Sequence, residues 1–205
     1  MYQKFSQKTI EDFSESNIES MYNQGFVFTR VAKGAMNQIE SVRVRLDSFE
    51  PSSENRRILK KFDNMNISRK PLPYGDYSWE IGKLAKSFYK TRFGSEIFSA
   101  NKIKELFTNP KKSNMNGVLI FTIPEYGTVG YCLTFDTERI LHYSYPFYDM
   151  DKTSDKSTGM AMMVKSVLWA KENGKKFIYL GSFDKYKLQF KGTQVYHPEN
   201  GWLER

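Results

Sequence analysis

The stretch DKSTGMAMMVK, residues 155 to 165, runs from a polar loop with one glycine directly into a helical pattern. Its apolar side chains recur at helical spacing as far as Leu168, and Gly174 is suited to end the helix in a left-handed cap. The N-terminus of such a helix directs backbone N–H groups and a partial positive charge outwards. We therefore expect the helix mouth to face a phosphate or a carbonyl oxygen.

Strands are predicted on both sides of this helix. Gly117–Ile123 and Thr128–Phe135 flank the turn PEYG, and Arg139–Tyr145 alternates apolar with polar side chains. Lys176–Gly181 follows the helix and has the apolar character of a core strand. The pattern predicts an antiparallel meander, then the helix, then one more strand.

Two helices are predicted before the strands, one from about Tyr77 and one from Glu96 to Phe107. Helices, an antiparallel meander, a helix and a strand follow the element order of the GNAT acyltransferase fold. The predicted class is therefore α+β, with a GNAT-like transferase domain at residues 76–205. In that fold the acyl donor is held by the loop between the last strand of the meander and the helix that follows it. The helix mouth is therefore expected to bind the acyl donor.

The first 75 residues are predicted to form a small α/β segment of their own. The predicted elements are a helix from Thr9 to just before Gly25, a hairpin of Phe26–Val31 and Glu40–Leu46, a capped basic helix Pro51–Lys61 and a closing loop Ser68–Asp76.

Composition limits the classes of function. The 31 Lys and Arg residues exceed the 23 Asp and Glu residues, and the net charge of +8 would attract a polyanion such as RNA. Cys132 is the one cysteine, so one chain cannot form a disulfide or a cysteine metal cluster, and we expect no metal. Apolar runs such as Gly117–Ile123 are too short to cross a bilayer, and the start MYQKFSQK lacks a signal-peptide pattern. A cytoplasmic protein without a membrane partner is expected.

Two groups of motifs point to a more specific resemblance. The C-terminal group comprises Tyr145-Pro-Phe-Tyr-Asp149, Ser157-Thr-Gly159, Phe177-Ile-Tyr-Leu-Gly181, Lys185-Tyr-Lys-Leu-Gln-Phe190 and Trp202. The N-terminal group comprises Gln24-Gly-Phe26, Arg43-Val-Arg45, Phe49-Glu-Pro-Ser52 and Arg56-Arg-Ile-Leu-Lys60. In order and spacing, both groups resemble the aminoacyl-tRNA protein transferases, the arginyltransferases and bacterial leucyltransferases of the N-degron pathway.

One segment departs from that family. Its members usually carry a cysteine cluster between the Gly-Phe strand and the Arg-Val-Arg strand, whereas this chain has Ala32-Lys-Gly-Ala-Met-Asn-Gln-Ile39 there. Whatever the cluster does in the family is therefore not carried over to this chain, and a changed acceptor is one consequence to consider.

The resemblance implies that an amine attacks the ester between an amino acid, of the arginine or leucine class, and tRNA. Aminoacyl-tRNA is the implied co-substrate, with no other cofactor, and the partners are tRNA and a protein or peptide acceptor. The helix mouth at Ser157, Thr158 and Gly159 would face the terminal adenosine. Tyr148 and Asp149 would line the reacting centre, where Asp149 orients or deprotonates the amine.

Basic side chains supply the remaining candidates, each with a plainer alternative. Lys185, Lys187 and Lys191 are expected to read an acidic acceptor, or equally to protect a terminal strand edge. The expected tRNA-binding residues are Arg43, Arg45, Arg56, Arg57, Lys60 and Lys61, although a basic helix is often only a solvated face. Asp149 itself has the alternative of capping a turn.

Two other functions stay open at the level of sequence. An acetyl-CoA-dependent N-acetyltransferase has the same fold, but its loop usually carries more than one glycine, and Asp151 and Asp155 would oppose a pyrophosphate here. A non-catalytic RNA- or peptide-binding protein is compatible with the missing cysteines.

Overall fold

The computed structural model describes residues 3–94, 97–153, 155 and 157–205. The elements follow the chain as β1 (Lys4–Thr9), α1 (Glu15–Asn23), β2 (Phe26–Phe28), β3 (Ala35–Ile39), β4 (Ser41–Arg45), α2 (Ser53–Lys61), β5 (Asn66–Pro71), α3 (Trp79–Phe93), α4 (Ala100–Thr108), β6 (Gly117–Ile123), β7 (Gly127–Asp136), β8 (Ile140–Tyr148), α5 (Thr158–Glu172), β9 (Phe177–Ser182), a 3₁₀ helix (Lys185–Gln189), β10 (Thr193–His197) and β11 (Gly201–Glu204). This mixture confirms the α+β class.

The main sheet has eight strands in the order β11-β10-β4-β9-β8-β7-β6-β5. Strands β6, β7 and β8 form the predicted antiparallel meander, and β9 lies parallel to β8. The connection between these parallel strands is α5, which packs against both of them. The prediction that the meander and Lys176–Gly181 share one sheet covered by the helix is confirmed, and with it the GNAT-like arrangement.

Strands β8 and β9 stay paired over a short distance only. Their shared pairs end at His142 and Tyr179, although both strands continue beyond them. The pairing of β8 with β7 shifts register opposite Cys132 and Leu133, and Tyr145 adopts a positive φ of 51°. Such an irregularity bends a strand. The two parallel strands consequently separate at the end that leads into α5.

The basic helix α2 forms as its sequence predicts. The Ser52 side chain accepts a hydrogen bond from the Asn55 N–H, and the Asn55 side chain accepts one from the Ser52 N–H. This reciprocal capping satisfies two donors at the helix start, and Lys60 and Lys61 in the last turn complement the negative end of the helix dipole. Helix α2 packs beside α5.

Several N-terminal predictions are wrong. Thr9 ends an exposed edge strand, and the first helix is capped by Ser14, whose side chain accepts from the Asn17 N–H. The predicted hairpin is replaced by pairing of β2 with β3, while β4 lies between β9 and β10 in the main sheet. Strands β2 and β3 are consecutive, whereas β4 pairs with strands from the far end of the chain, and β4 carries no local signal of those partners.

Two other segments also differ from prediction. Ser68–Pro71 belongs to the edge strand β5, with its proline at the last position, where the missing N–H is tolerated. The alternating segment Lys185–Gln189 is a 3₁₀ helix, not a terminal strand. The predicted start of the fourth helix at Glu96 lies outside the described residues, and α4 begins at Ala100.

The first 75 residues contribute to the same sheet as the remainder. Strands β4 and β5 come from this segment, yet β4 lies between β9 and β10, and β5 pairs with β6. Helix α1 is also tied to the meander, because the buried Tyr22 hydroxyl lies 2.9 Å from Nδ1 of His142. The main sheet therefore contains strands from both sides of the predicted boundary at residue 75.

No helix among the described residues combines the length and apolar character needed to cross a membrane.

Gly192 offers a test of how closely β10 must approach the end of β4. Its φ is 82°, and an added Cβ would lie 2.7 Å from the Arg45 carbonyl oxygen and 2.6 Å from the Ser48 Oγ. Left-handed strain and this contact together should make Gly192→Ala cost about 2–4 kcal/mol of unfolding free energy, measured by denaturant titration.

The matched control is Gly174→Ala, where φ is 72° but no atom lies within 4 Å of the added Cβ. It should cost only about 1 kcal/mol, the strain alone. Equal losses for both variants would show that β10 can shift to relieve the contact.

Candidate functional site

Asp149 follows the last residue of β8 and closes the turn towards α5. Its Oδ1 accepts the backbone N–H groups of Asp151 and Lys152, each at 3.0 Å. Its own N–H donates to the Val129 carbonyl at 2.8 Å. Asp149 thus has the capping role considered as the alternative, and these bonds fix its carboxylate in one orientation. Among the described residues no donor is bonded to Oδ2, which leaves that oxygen open to a ligand.

Asp149 also lies on the wall of a cleft of about 420 Å³. The other lining residues come from the start of α3, from β7 and from the turn after β8: Ser78, Glu80, Ile81, Leu84, Thr128, Tyr131 and Lys152. The cleft therefore combines two carboxylates, a lysine and an apolar floor. Its volume lies within the range of small-molecule sites, and its carboxylates suit a ligand that carries an amine.

Tyr148 is buried directly beside this cleft. Its hydroxyl accepts a hydrogen bond from Nη2 of Arg92 at 2.8 Å, and its ring lies 4.9 Å from that of Phe88. On its other side a Cβ added to Gly159 would lie 3.3 Å from Cε1 of Tyr148. Tyr148 therefore connects α3 with the first turn of α5, and the absent side chain of Gly159 permits this close approach.

The mouth of α5 is occupied by Asp155. Its Oδ1 accepts the Ser157 N–H at 2.7 Å, and its carbonyl accepts the Thr158 N–H at 3.1 Å and the Thr158 hydroxyl at 2.9 Å. Lys61 of α2 forms an ion pair with the same carboxylate. The hydrogen bond from Lys61 is the largest cause that lowers the Asp155 pKa below its usual value. Two of the three residues expected to face a donor thus bond to Asp155 in this structure.

Three predicted elements converge around this mouth. The Gln189 side chain, at the end of the 3₁₀ helix, accepts from Nδ2 of Asn55 on α2 at 3.1 Å. Its own Nε2 lies 3.1 Å from Sδ of Met160 in the first turn of α5. The Lys61–Asp155 ion pair is a second link between α2 and this region. The structure therefore brings together the predicted donor loop, the basic helix and the segment after β9.

The three lysines predicted to read an acceptor have different environments. Lys185 and Lys191 are both exposed, and Lys191 forms an ion pair with Glu50 at 3.0 Å. Lys187 is only 7% exposed, and its ammonium donates to the carbonyls of Leu180 and Ser182 at 2.8 and 2.6 Å. Burial lowers the pKa of Lys187 to about 8. Lys187 therefore supplies donors to the part of β9 beyond its pairing with β8, and Lys185 is the one of these three with an exposed, unpaired ammonium.

The two arginines of β4 are bonded to other residues of this chain. Arg43 is 7% exposed, lies between the rings of Phe177 and Trp202, and donates to Gln194 and Tyr179. Burial lowers its pKa. Arg45 pairs with Asp47 and Glu204. A buried Arg43 does not fit the predicted contact with tRNA phosphates.

The four basic residues on α2 are all exposed. Arg57 makes a bidentate ion pair with Glu54 at 2.7 and 2.8 Å, Arg56 donates to the Pro51 carbonyl, and Lys61 pairs with Asp155. Lys60 is exposed at the end of this group. The predicted basic face exists, and carboxylates of the chain itself neutralise two of its four cations, Arg57 and Lys61.

Other buried polar groups lie along β8. His142 is bonded to Tyr22 and Ser144, and burial lowers its pKa to about 3, so the ring is neutral. The buried hydroxyl of Tyr143 has no hydrogen-bond partner among the described residues. An unpaired buried hydroxyl is costly unless a ligand uses it. The described residues contain no group of three His, Cys, Asp or Glu side chains that would hold a metal.

Helix α3 carries functional candidates that the sequence analysis missed. Arg92 holds Tyr148, and Glu80 lines the cleft. Arg92 follows Phe88 by four residues, so helical spacing places it on the same side of α3 as the buried Ile81 and Phe88. That signal was available in the sequence.

Comparison with known proteins agrees with the predicted resemblance. This chain is similar to aspartate/glutamate leucyltransferases. The protein of that name from Dinoroseobacter shibae is 26% identical over 215 aligned positions, which cover 90% of this chain and 71% of that protein. The one from Leptospira interrogans is also 26% identical, over 95% of this chain and 80% of the relative. These relatives support an aminoacyl-tRNA transferase family; no protein-family model matches the chain.

A solved structure supports the fold. The structure of L-PGS from Bacillus licheniformis superposes with a TM-score of 0.55 at 14% identity, and the match covers 91% of this chain and 66% of that one. At this identity the likeness concerns the fold alone.

Lys187 should make stability depend on pH. Its folded pKa of about 8 lies below the ordinary 10.5, so between these values the unfolded chain binds the proton and the folded chain does not. Stability must then rise with pH across this window. The unfolding free energy of the wild type minus that of Lys187→Met should increase by roughly 3 kcal/mol from pH 8 to pH 10.5.

Subtracting the unfolding free energy of the variant from that of the wild type cancels the contributions of the tyrosines and other lysines that titrate in the same pH window. A difference that stays constant with pH would show that Lys187 keeps its ordinary affinity for a proton in the folded protein.

Proposed function

We propose that this chain transfers an aminoacyl group from aminoacyl-tRNA to an amine of a protein or peptide. The observation that carries the proposal is similarity to aspartate/glutamate leucyltransferases over 90–95% of the chain. The convergence of the donor loop, α2 and the 3₁₀ helix at the mouth of α5 supports it. Aminoacyl-tRNA is the proposed co-substrate, and no other cofactor is proposed.

The proposed amino acid and acceptor are taken from the relatives, which are named aspartate/glutamate leucyltransferases. Leucine is the amino acid favoured, ahead of arginine, and the favoured acceptor is a chain that begins with Asp or Glu. The acceptor's side-chain carboxylate would need a cation near the cleft. Lys152 on the cleft wall is the first candidate, because its ammonium makes only long contacts of 3.3 and 3.5 Å with the carbonyls of Tyr126 and Thr128. The exposed Lys185 is the second, since Lys187 is buried on two carbonyls and Lys191 pairs with Glu50.

The reaction requires no nucleophilic side chain. The acceptor amine attacks the ester carbonyl of aminoacyl-tRNA, a C–N bond forms, the C–O bond to the ribose breaks, and the amine proton ends on the ribose oxygen. The protein has to align the amine, remove its proton and stabilise the oxyanion. This chemistry suits a chain whose cysteine is buried and whose described site contains no Ser-His-Asp arrangement.

Asp149 is the proposed base. Its carboxylate is held by two backbone donors through Oδ1, so Oδ2 points from a fixed position on the cleft wall. Glu80 on the same cleft adds a second negative charge that would attract the ammonium form of the acceptor. Tyr148 lies next to Asp149 and, through Arg92 and Gly159, keeps α3 and α5 at a fixed separation.

Acetyl-CoA is disfavoured as the donor by the charge at the α5 mouth. Asp155 already accepts from Ser157 and Thr158 there, and its carboxylate would repel a pyrophosphate. The terminal adenosine of tRNA brings an ester and hydroxyl groups to this position, with fewer charges to accommodate.

The proposal is tested by supplying each donor separately. The protein should be incubated with leucyl-tRNA, arginyl-tRNA or acetyl-CoA and with peptides that start with Asp, Glu or Ala, and the peptide masses measured. We expect leucine to be added to the Asp and Glu peptides from leucyl-tRNA, and little addition to the Ala peptide. Acetylation from acetyl-CoA, with no transfer from either charged tRNA, would contradict the proposal.

Asp149→Asn separates the chemical role of Asp149 from its structural one. The amide oxygen of asparagine still accepts the two backbone N–H groups, so the turn and the fold should be retained. Loss of the base should lower the transfer rate about 10²–10⁴-fold while tRNA affinity changes little. The control is Asp151→Asn, an exposed neighbour. Transfer rates equal to the control would leave Asp149 with its capping role alone.

A further inference from the structure

The outer face of α3 carries an ordered row of side chains. Trp79, Lys83, Lys86, Lys90 and Phe93 are separated by four, three, four and three residues, the spacing that places them along one side of a helix. This α3 stripe has three lysines at its centre and an aromatic residue at each end. At ~1.5 Å per residue it is about 21 Å long.

The stripe is largely exposed, and among its aromatic residues Phe93 has one ring neighbour outside the stripe, Tyr89, at 5.9 Å. Trp79 and Phe93 are 68% and 61% exposed, among the most exposed large apolar side chains of the described residues. The opposite side of α3, with Ile81, Ala85 and Phe88, is buried in the core. Because the core already takes the apolar face, both stripe aromatics keep most of their surface available to a partner outside this chain.

The positive charge of the stripe is not neutralised. Among the described residues, none of the three stripe lysines forms an ion pair. One of them, Lys83, places its ammonium 5.3 Å from the centre of the Trp79 ring. This contrasts with α2, where Arg57 and Lys61 are bonded to carboxylates. Half of the α2 cations are thus neutralised, whereas all three stripe lysines keep their charge.

The helix that carries the stripe also contributes residues to the candidate site. Glu80, one residue after Trp79, lines the cleft beside Asp149, and Arg92, one residue before Phe93, donates to Tyr148. Both contacts lie on faces of α3 other than the stripe, and it is the Trp79 end of the stripe that adjoins the cleft. A long polyanion held along the outer face of α3 would have its end close to the reacting centre.

We propose that the α3 stripe binds the acceptor arm of the tRNA, with the lysines on backbone phosphates and the exposed aromatics against unpaired bases at its 3′ end. The inference rests on the proposed function and adds the surface that holds the co-substrate. Lysines supply the salt-dependent part of RNA binding. Exposed aromatic rings stack on unpaired bases, which is how proteins hold single-stranded RNA.

An anionic membrane is a different partner with similar charge, and the geometry argues against it. A helix that lies on a membrane buries a continuous apolar face in the lipid. On α3 the continuous apolar face is buried in the core, and the two stripe aromatics are separated by the lysines. This arrangement suits contacts with a chain of bases and phosphates better than insertion into lipid.

The test reverses the three charges, as Lys83→Glu, Lys86→Glu and Lys90→Glu in one protein. A control protein carries Lys4→Glu, Lys104→Glu and Lys111→Glu, exposed lysines that belong to no common stripe. Both lower the net charge from +8 to +2. Binding to uncharged tRNA is measured at several salt concentrations, and leucyl transfer to an Asp peptide at subsaturating tRNA.

We expect the stripe variant to bind tRNA at least tenfold more weakly than the control, with a salt slope that is smaller by about 2–3. Its transfer rate should recover at high tRNA concentration, since the chemical groups are intact. Equal losses in the two variants would assign the effect to overall charge and overturn the inference. If the wild type neither binds tRNA nor transfers leucine, it is the proposed function that fails.

The aromatic part is tested with Trp79→Ala and Phe93→Ala together. Affinity for intact tRNA should fall about tenfold, whereas affinity for tRNA that lacks its unpaired 3′ nucleotides should hardly change. An equal loss for both RNAs would contradict stacking on the 3′ end. Binding to phosphatidylglycerol vesicles is measured for the wild type and the stripe variant. If the stripe variant loses vesicle binding but keeps tRNA binding, the partner of the stripe is a lipid surface and not RNA.

Discussion

The architecture depends on the parallel pairing of β8 with β9, which is limited to three residue pairs. A parallel pair requires a crossover, and here the crossover is α5. The end of β8 and the start of α5 consequently lie at the same edge of the sheet, where the two strands have already separated. For this reason the end of β8, with Tyr148 and Asp149, lies beside the mouth of α5.

Charges at this edge are arranged by elements from distant parts of the chain. Asp155 holds the first amides of α5 and is itself held by Lys61 of α2. Asn55 and Gln189 extend the same contact to the 3₁₀ helix. A ligand that entered the α5 mouth would compete with Asp155 for these amides, and the ion pair with Lys61 would be available to hold the displaced carboxylate. If the α5 mouth takes the donor, as proposed, this competition would couple donor binding to the position of α2.

The sequence predicted what local pattern determines and missed what depends on distant pairing. Strand β6 was predicted with its observed bounds because a continuous apolar run between turn residues has one interpretation. The place of β4 between β9 and β10 has no local signal, and the edge strand β1 lacks an apolar face from which it could be recognised. Asp149 was predicted as a site residue through the resemblance, whereas its hydrogen bonds to Asp151 and Lys152 depend on a turn that composition alone does not specify.

The comparison of α2 with α3 shows why a count of basic residues does not locate a binding surface. By sequence α2 is the denser basic segment, but Glu54 and Asp155 pair with two of its four cations and lower the positive charge that a polyanion would meet. On α3 the three stripe lysines have no such neighbours among the described residues, and two aromatic rings extend the surface at its ends. Because the first phosphate to arrive responds to unpaired charge, α3 is the better candidate for capturing tRNA. Helix α2 is then left to position the α5 mouth through Lys61.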